Sequence, residues 1–139
     1  MNIIKANSKD INALLDIENE AFGGSGFELS RASFYYHIRK NFFYVAKDDS
    51  GQILGYILVF AYLKIPRIYS IAISKNARQK GVGTTLINFV LTKFSHLRLE
   101  VRKDNKNAIA LYEKFGFVVE KILPSYYPDG CDGLFMIKK

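Results

Sequence analysis

The stretch Arg78-Gln79-Lys80-Gly81-Val82-Gly83-Thr84 lies between an apolar strand-like run, Ile68 to Ile73, and an apolar helix-like run, Leu86 to Phe94. The N–H groups of a helix's first turn have no intrahelical partner, and the helix dipole is positive at that end. Glycine keeps a Cβ out of the way, so a bulky anion can approach the bare backbone. Cations precede both glycines. The junction therefore fixes a strand, a turn and a helix in sequence, and it predicts a site for a phosphorylated ligand.

At 139 residues the chain predicts one domain, 1–139, with a single well-buried core. No apolar run approaches the roughly 20 residues that span a bilayer. The start Met1-Asn2-Ile3-Ile4-Lys5 has no basic segment followed by an apolar stretch, so no membrane role or export is expected. One cysteine, Cys131, forms no internal disulfide and fits a reducing cytoplasm. Its wide separation from the two histidines, His37 and His96, predicts no metal site.

The net charge of +7 is unevenly distributed. Residues 1–30 hold two lysines against Asp10, Asp16, Glu18, Glu20 and Glu28. Residues 64–106 hold ten Lys and Arg against Glu100 and Asp104. The excess of cations surrounds the glycine turn, where a polyanion would sit, although a solvated basic face would show the same count. No recognised nucleic-acid module accompanies it.

Alternation and helical spacing predict strands at 1–6, 42–47, 53–61, 68–73, 97–101, 117–123 and 133–138. Helices are predicted from a Ser8 cap to Phe22, from a Ser30 cap to about Arg39, over 82–94 and over 105–115. Gly23-Gly24-Ser25-Gly26 ends the first helix, and Asp48-Asp49-Ser50-Gly51-Gln52 joins a hairpin. Seven strands mixed with four helices predict an α/β fold around one mixed sheet.

A Walker A loop needs Gly-Lys-Ser/Thr, whereas Gly83 precedes Thr84-Thr85. A dinucleotide fingerprint needs a third glycine where Leu86 stands. Arg-x-x-Gly-x-Gly remains, weak alone. It is followed by Leu99-Glu100-Val101-Arg102, by Asn105, by Ala108-Ile109-Ala110-Leu111-Tyr112, and by Gly116-Phe117. In this order the motifs resemble the GNAT superfamily of N-acetyltransferases, and more narrowly the ribosomal-protein-alanine N-acetyltransferases of the RimI type. The segment Tyr126-Tyr127-Pro128-Asp129-Gly130-Cys131-Asp132 is similar to that group's tyrosine-rich closing segment.

The resemblance implies a single-domain GNAT-like fold with a splayed strand pair binding acetyl-CoA as co-substrate. It implies that the pyrophosphate lies on Arg78, Gln79, Lys80, Gly81, Val82, Gly83 and Thr84. The pantetheine would run beside Ile71, Ala72 and Ile73, with Asn105 touching it from the next helix. Asn105 would serve equally as a helix cap. The implied acceptor is an amine, most simply the N-terminal amine of a basic ribosomal protein, to which the acidic residues 1–30 are suited.

An amine attacks only when neutral. At pH 7 an α-amine is roughly 15% neutral and a lysine about 0.04%, so an α-amine needs little beyond a nearby proton acceptor. The resemblance implies Glu100 as that base, and burial at a strand end would strengthen it. A salt bridge with Arg98 or Arg102 is the other use of that carboxylate. The resemblance implies Tyr112 as the acid that protonates the leaving thiolate, although a core tyrosine would share its helical spacing. Tyr35, Tyr36, Tyr126 and Tyr127 are candidates for the acceptor pocket. A small-molecule amine or a lysine side chain is the alternative acceptor, and an acyl-CoA or ribosomal RNA binding module is the non-enzymatic alternative.

Overall fold

A computed structural model describes residues 1–26 and 28–139. The strands are β1 (Asn2–Lys5), β2 (Phe42–Lys47), β3 (Ile53–Phe60), β4 (Arg67–Ile73), β5 (Leu97–Arg102), β6 (Val118–Leu123) and β7 (Gly133–Lys138). The helices are α1 (Ile11–Phe22), α2 (Arg31–Lys40), α3 (Val82–Leu91) and α4 (Lys106–Lys114). The single sheet has the order β1-β2-β3-β4-β5-β7-β6, and only the central β4–β5 pair is parallel. Among the described residues no helix is long and apolar enough to cross a membrane.

Each face of the sheet buries its own apolar cluster. Leu14 and Ile17 of α1 and Phe34 of α2 pack on Phe43, Tyr56 and Leu58. On the opposite face Leu86, Ile87 and Val90 of α3 and Tyr112 of α4 pack on Ile57, Leu99 and Met136. Helical spacing in one set and strand alternation in the other bring these residues to the same planes.

Two helix ends differ from the sequence expectation. Asn7, rather than Ser8, is the first cap. Its side chain accepts the Lys9 N–H at 2.8 Å, and Asp10 Oδ2 accepts the Asn7 N–H at 2.9 Å, a reciprocal box. Ser8 instead begins the short 3-10 turn Ser8–Asp10 that leads into α1. Asn7→Ala removes one half of the box and is expected to lower stability by about 1 kcal/mol, measured by urea unfolding. At the other end, α3 stops three residues before Phe94. The Thr92 hydroxyl donates to the Phe89 carbonyl at 2.6 Å, and its N–H is shared between Asn88 and Phe89. That sharing tightens the last turn and ends the helix.

The centre of the sheet is opened by two irregularities. The β3–β4 register shifts between Leu58 and Val59, leaving Tyr69 as the extra residue on β4. Such a bulge bends the strand that carries it. β4 and β5 then share one register pair, Arg67 with Arg98, held by the Arg98 N–H donating to the Pro66 carbonyl at 3.0 Å. Beyond that pair the two strands diverge.

Candidate active site

The gap between β4 and β5 exposes backbone that a sheet would normally pair. The Ser74 N–H donates to the Leu54 carbonyl of the β3 side at 2.8 Å. Because successive residues alternate, the polar backbone of Ala72 also faces β3, and that of Ile71 and Ile73 faces the gap. Ala72 has its side chain buried in the α1–α2 core as well. Ile71 and Ile73 therefore present N–H and C=O groups to whatever fills the gap.

At the mouth of the gap the chain turns through Arg78–Thr84 into α3. Gly81 has φ +78, and nothing lies within 4 Å of the Cβ it lacks. Gln79 also has a left-handed φ of 64. Gly81 offers no side-chain cap, and the first bond of α3 closes from the Thr85 N–H to the Gly81 carbonyl at 3.0 Å. The N–H groups of Val82, Gly83 and Thr84 are thus without intrahelical partners. Arg78 and Lys80 are exposed beside them. A cradle of bare N–H groups flanked by cations has the chemistry for a pyrophosphate.

Asn105 caps α4 through its side chain, which accepts the Ala108 N–H at 3.2 Å. That bond occupies the amide oxygen and leaves the amide nitrogen available to donate.

Glu100 sits on β5 between buried Leu99 and Val101, so its side chain points to the α1–α2 face of the sheet. It is 12% exposed, and its Oε2 lies 2.7 Å from Arg67 Nε. The partner is neither Arg98 nor Arg102. Arg67 arrives from the parallel strand, and the contact is an ion pair without the alignment of a hydrogen bond. Arg102 is held instead by Asp129 at 2.7 Å and Asp104 at 3.1 Å.

Tyr112 lies on the opposite side of β5, buried against Phe117 with ring centroids 5.8 Å apart. Burial first, and then Tyr127, raise its phenol above the ordinary tyrosine value, so it keeps its proton at neutral pH. The two candidate catalytic groups therefore flank the strand that borders the gap.

Tyr127 links them. Burial, then Tyr126 and Glu100, push its phenol up to about 12, and it also acts on Tyr112. Its ring lies 5.1 Å from the Arg102 guanidinium. The sequence singled it out only as one possible wall of a pocket. Its place beside Glu100 and Tyr112 needs the β6–β7 connection to fold back over β5, which no local pattern reveals.

The acidic residues of 1–30 divide between the interior and the surface. Asp10 is paired with Lys47 at 3.2 Å and closes the Asn7 box. Glu18 is buried, bonded to the Tyr56 hydroxyl and to the Leu29 N–H at 2.7 Å. Glu20 accepts the Lys75 N–H at 3.1 Å, and Glu28 accepts the Gly26 N–H at 3.0 Å. Asp10 and Glu18 are turned inward, while Asp16, Glu20 and Glu28 stay exposed.

Residues 11–117 match the model of the Acetyltransferase (GNAT) family. An N-acetyltransferase of Methanocaldococcus jannaschii is 37% identical over all of this chain and 92% of its own length. An N-alpha-acetyltransferase of Sulfolobus acidocaldarius is 39% identical over 68% of this chain and 66% of its own. The crystal structure of the ribosomal-protein-S18-alanine N-acetyltransferase from Escherichia coli superposes with a TM-score of 0.86 at 25% identity, covering 99% of this chain and 92% of that one. With the splayed central strands, the glycine turn and the Leu99–Arg102 motif in place, the chain belongs to the GNAT family and is an N-acetyltransferase.

Proposed function

We propose that the protein transfers the acetyl group of acetyl-CoA to the α-amine of a protein N-terminus, with Glu100 accepting the amine's proton and Tyr112 donating to the departing sulfur. The observation that carries this reading is the open β4–β5 gap, bordered by a half-buried carboxylate on one side and a protonated phenol on the other. Relatives named as N-alpha-acetyltransferases and as a ribosomal-protein-alanine N-acetyltransferase support an α-amine acceptor.

The residues present suit acetyl-CoA. The N–H groups of Val82, Gly83 and Thr84, with Arg78, Gln79, Lys80 and Gly81, would hold the pyrophosphate. The gap-facing backbone of Ile71 and Ile73 would pair with the pantetheine amides. The free amide nitrogen of Asn105 would donate from the start of α4. Acetyl-CoA supplies an activated acyl group whose sulfur is a good leaving group.

The neutral amine nitrogen attacks the thioester carbon, the carbon–sulfur bond breaks, and the amine's proton leaves toward Glu100, directly or through a water. Arg67 is permanently charged, so Glu100 is the member of that pair able to take a proton. The Tyr112 O–H points its positive end at the developing thiolate and supplies the proton with which the thiol departs. Tyr112→Phe keeps the ring and removes only that donor. It is expected to lower kcat about 10- to 100-fold while the KM for acetyl-CoA changes less than about threefold. Steady-state kinetics checks it, and an unchanged kcat would reduce Tyr112 to a packing residue.

The activity itself is tested by thiol release from acetyl-CoA with N-terminal peptides, including that of a ribosomal protein. The same peptides with blocked N-termini and an internal lysine, and a set of small amines, serve as the other arms. Acetylation of free N-termini supports the proposal. Turnover confined to lysine or small amines overturns it.

A further inference from the structure

The α1–α2 face of β5 is cationic around the proposed base. Alternation puts Arg98, Glu100 and Arg102 on that face, and Phe135, paired with Glu100 across β7, joins them. Arg67 pairs with the Glu100 carboxylate at 2.7 Å, and Arg98, whose Cα is in register with that of Arg67, stands on the same face without joining that pair. Arg98 Nε is buried without a hydrogen-bond partner among the described residues. Lys121 adds a further cation, its Nζ lying 5.5 Å from the Phe135 ring centroid. The nearby carboxylates are already engaged: Asp104 and Asp129 with Arg102, and Asp132 with the Ser125 N–H at 2.9 Å. A desolvated guanidinium nitrogen without an acceptor is costly unless a ligand completes it.

Resting on the N-terminal acceptor reading above, we propose that Arg98 selects acceptors carrying a carboxylate side chain close behind the amine, so that the preferred substrate is an acidic N-terminal peptide. Arg98 and Glu100 are two residues apart on one strand, about 6–7 Å at the usual strand rise. An extended peptide whose amine is at Glu100 thus brings its second or third side chain to the level of Arg98. Planar guanidinium matches a carboxylate in two-point contact, which lysine does not reproduce. The charge of the site opposes a basic follow-on sequence, in contrast to the basic acceptor suggested by the composition of residues 1–30. Specificity then has an attractive partner and a repulsive one.

The test compares two peptides that share their first residue and differ only at positions two and three, Glu-Glu against Lys-Lys. Wild-type protein is expected to show kcat/KM about tenfold higher on the acidic peptide, with the ratio shrinking as salt rises. Arg98→Gln is expected to bring the ratio below about threefold, Arg98→Lys to restore part of it, and acetyl-CoA affinity to remain unchanged in both. The wild-type ratio and its salt dependence need no variant to fold. Equal rates or a preference for the basic peptide would overturn the carboxylate selectivity and leave N-terminal acetylation standing. Acetylation of neither peptide alongside turnover of lysine or small amines would overturn both.

Discussion

Glu100→Gln is expected to lower kcat/KM for a peptide acceptor by about 100-fold or more at neutral pH, the usual scale for removal of a general base. Glutamine preserves the size of the side chain and its place between Leu99 and Val101 but takes no proton from the attacking amine. Arg67 loses its ion-pair partner in this variant. The glutamine amide oxygen can stay beside Arg67 Nε as a neutral acceptor, so the fold should remain intact. Acetyl-CoA affinity, measured by calorimetry, should not change, because the proposed pyrophosphate and pantetheine contacts lie on α3 and β4. The residual rate should still climb with pH as more of the amine is neutral. A variant as fast as the wild type would leave Glu100 as nothing more than the partner of Arg67.

Glu18→Ala is expected to cost about 2–3 kcal/mol of stability, the scale for leaving buried donors unsatisfied. The Glu18 carboxylate joins three parts of the chain: α1, which carries it; the Leu29 N–H ahead of α2; and the Tyr56 hydroxyl on β3, which also bonds Ser70 Oγ of β4 at 2.7 Å. Alanine strands the Leu29 N–H and removes one of the two partners of Tyr56. The pH dependence has a definite sign. Burial, opposed by the Tyr56 and Leu29 bonds, raises the Glu18 carboxyl above its ordinary 4.5. The folded state then binds that proton more tightly than the unfolded state. Its stabilising effect is complete below pH 4.5 and is lost as pH rises through the folded value. Against Glu18→Gln, which does not titrate, the wild type should therefore lose stability over a window that opens near pH 4.5 and extends upward. Urea unfolding across that range checks it, and a relative gain with rising pH would contradict it.

The elements were largely legible because their signals are local. Alternation marked the seven strands, and Ser30 capped α2 as its position suggested, its hydroxyl accepting the Ser33 N–H at 3.1 Å. Asn7 was missed because either it or Ser8 could cap from sequence, and the choice lies with the backbone that places Ser8 inside the turn. The end of α3 was missed because the apolar pattern runs on to Phe94, while the Thr92 hydroxyl competes for the carbonyl of Phe89.

The candidate site was legible as a set of residues and much less as an arrangement. Arg67 stands 33 positions before Glu100, and only the parallel pairing of β4 with β5 brings them together. Tyr127 comes close to Glu100 and Tyr112 through the return of the β6–β7 connection. Composition was informative only in part: of the five acidic residues among the first 30, Asp10 and Glu18 are buried, and Asp16, Glu20 and Glu28 remain exposed. Counting charges gives their number, and folding decides which way they face.

Amide-resolved hydrogen exchange with and without acetyl-CoA is the most direct check on where the co-substrate lies. Added acetyl-CoA should slow exchange at Ile71 and Ile73, whose N–H groups face the gap, and at Val82, Gly83 and Thr84 at the start of α3. Saturating acetyl-CoA that left those amides unprotected, or protected a different surface, would contradict both the cradle and the gap as its binding site.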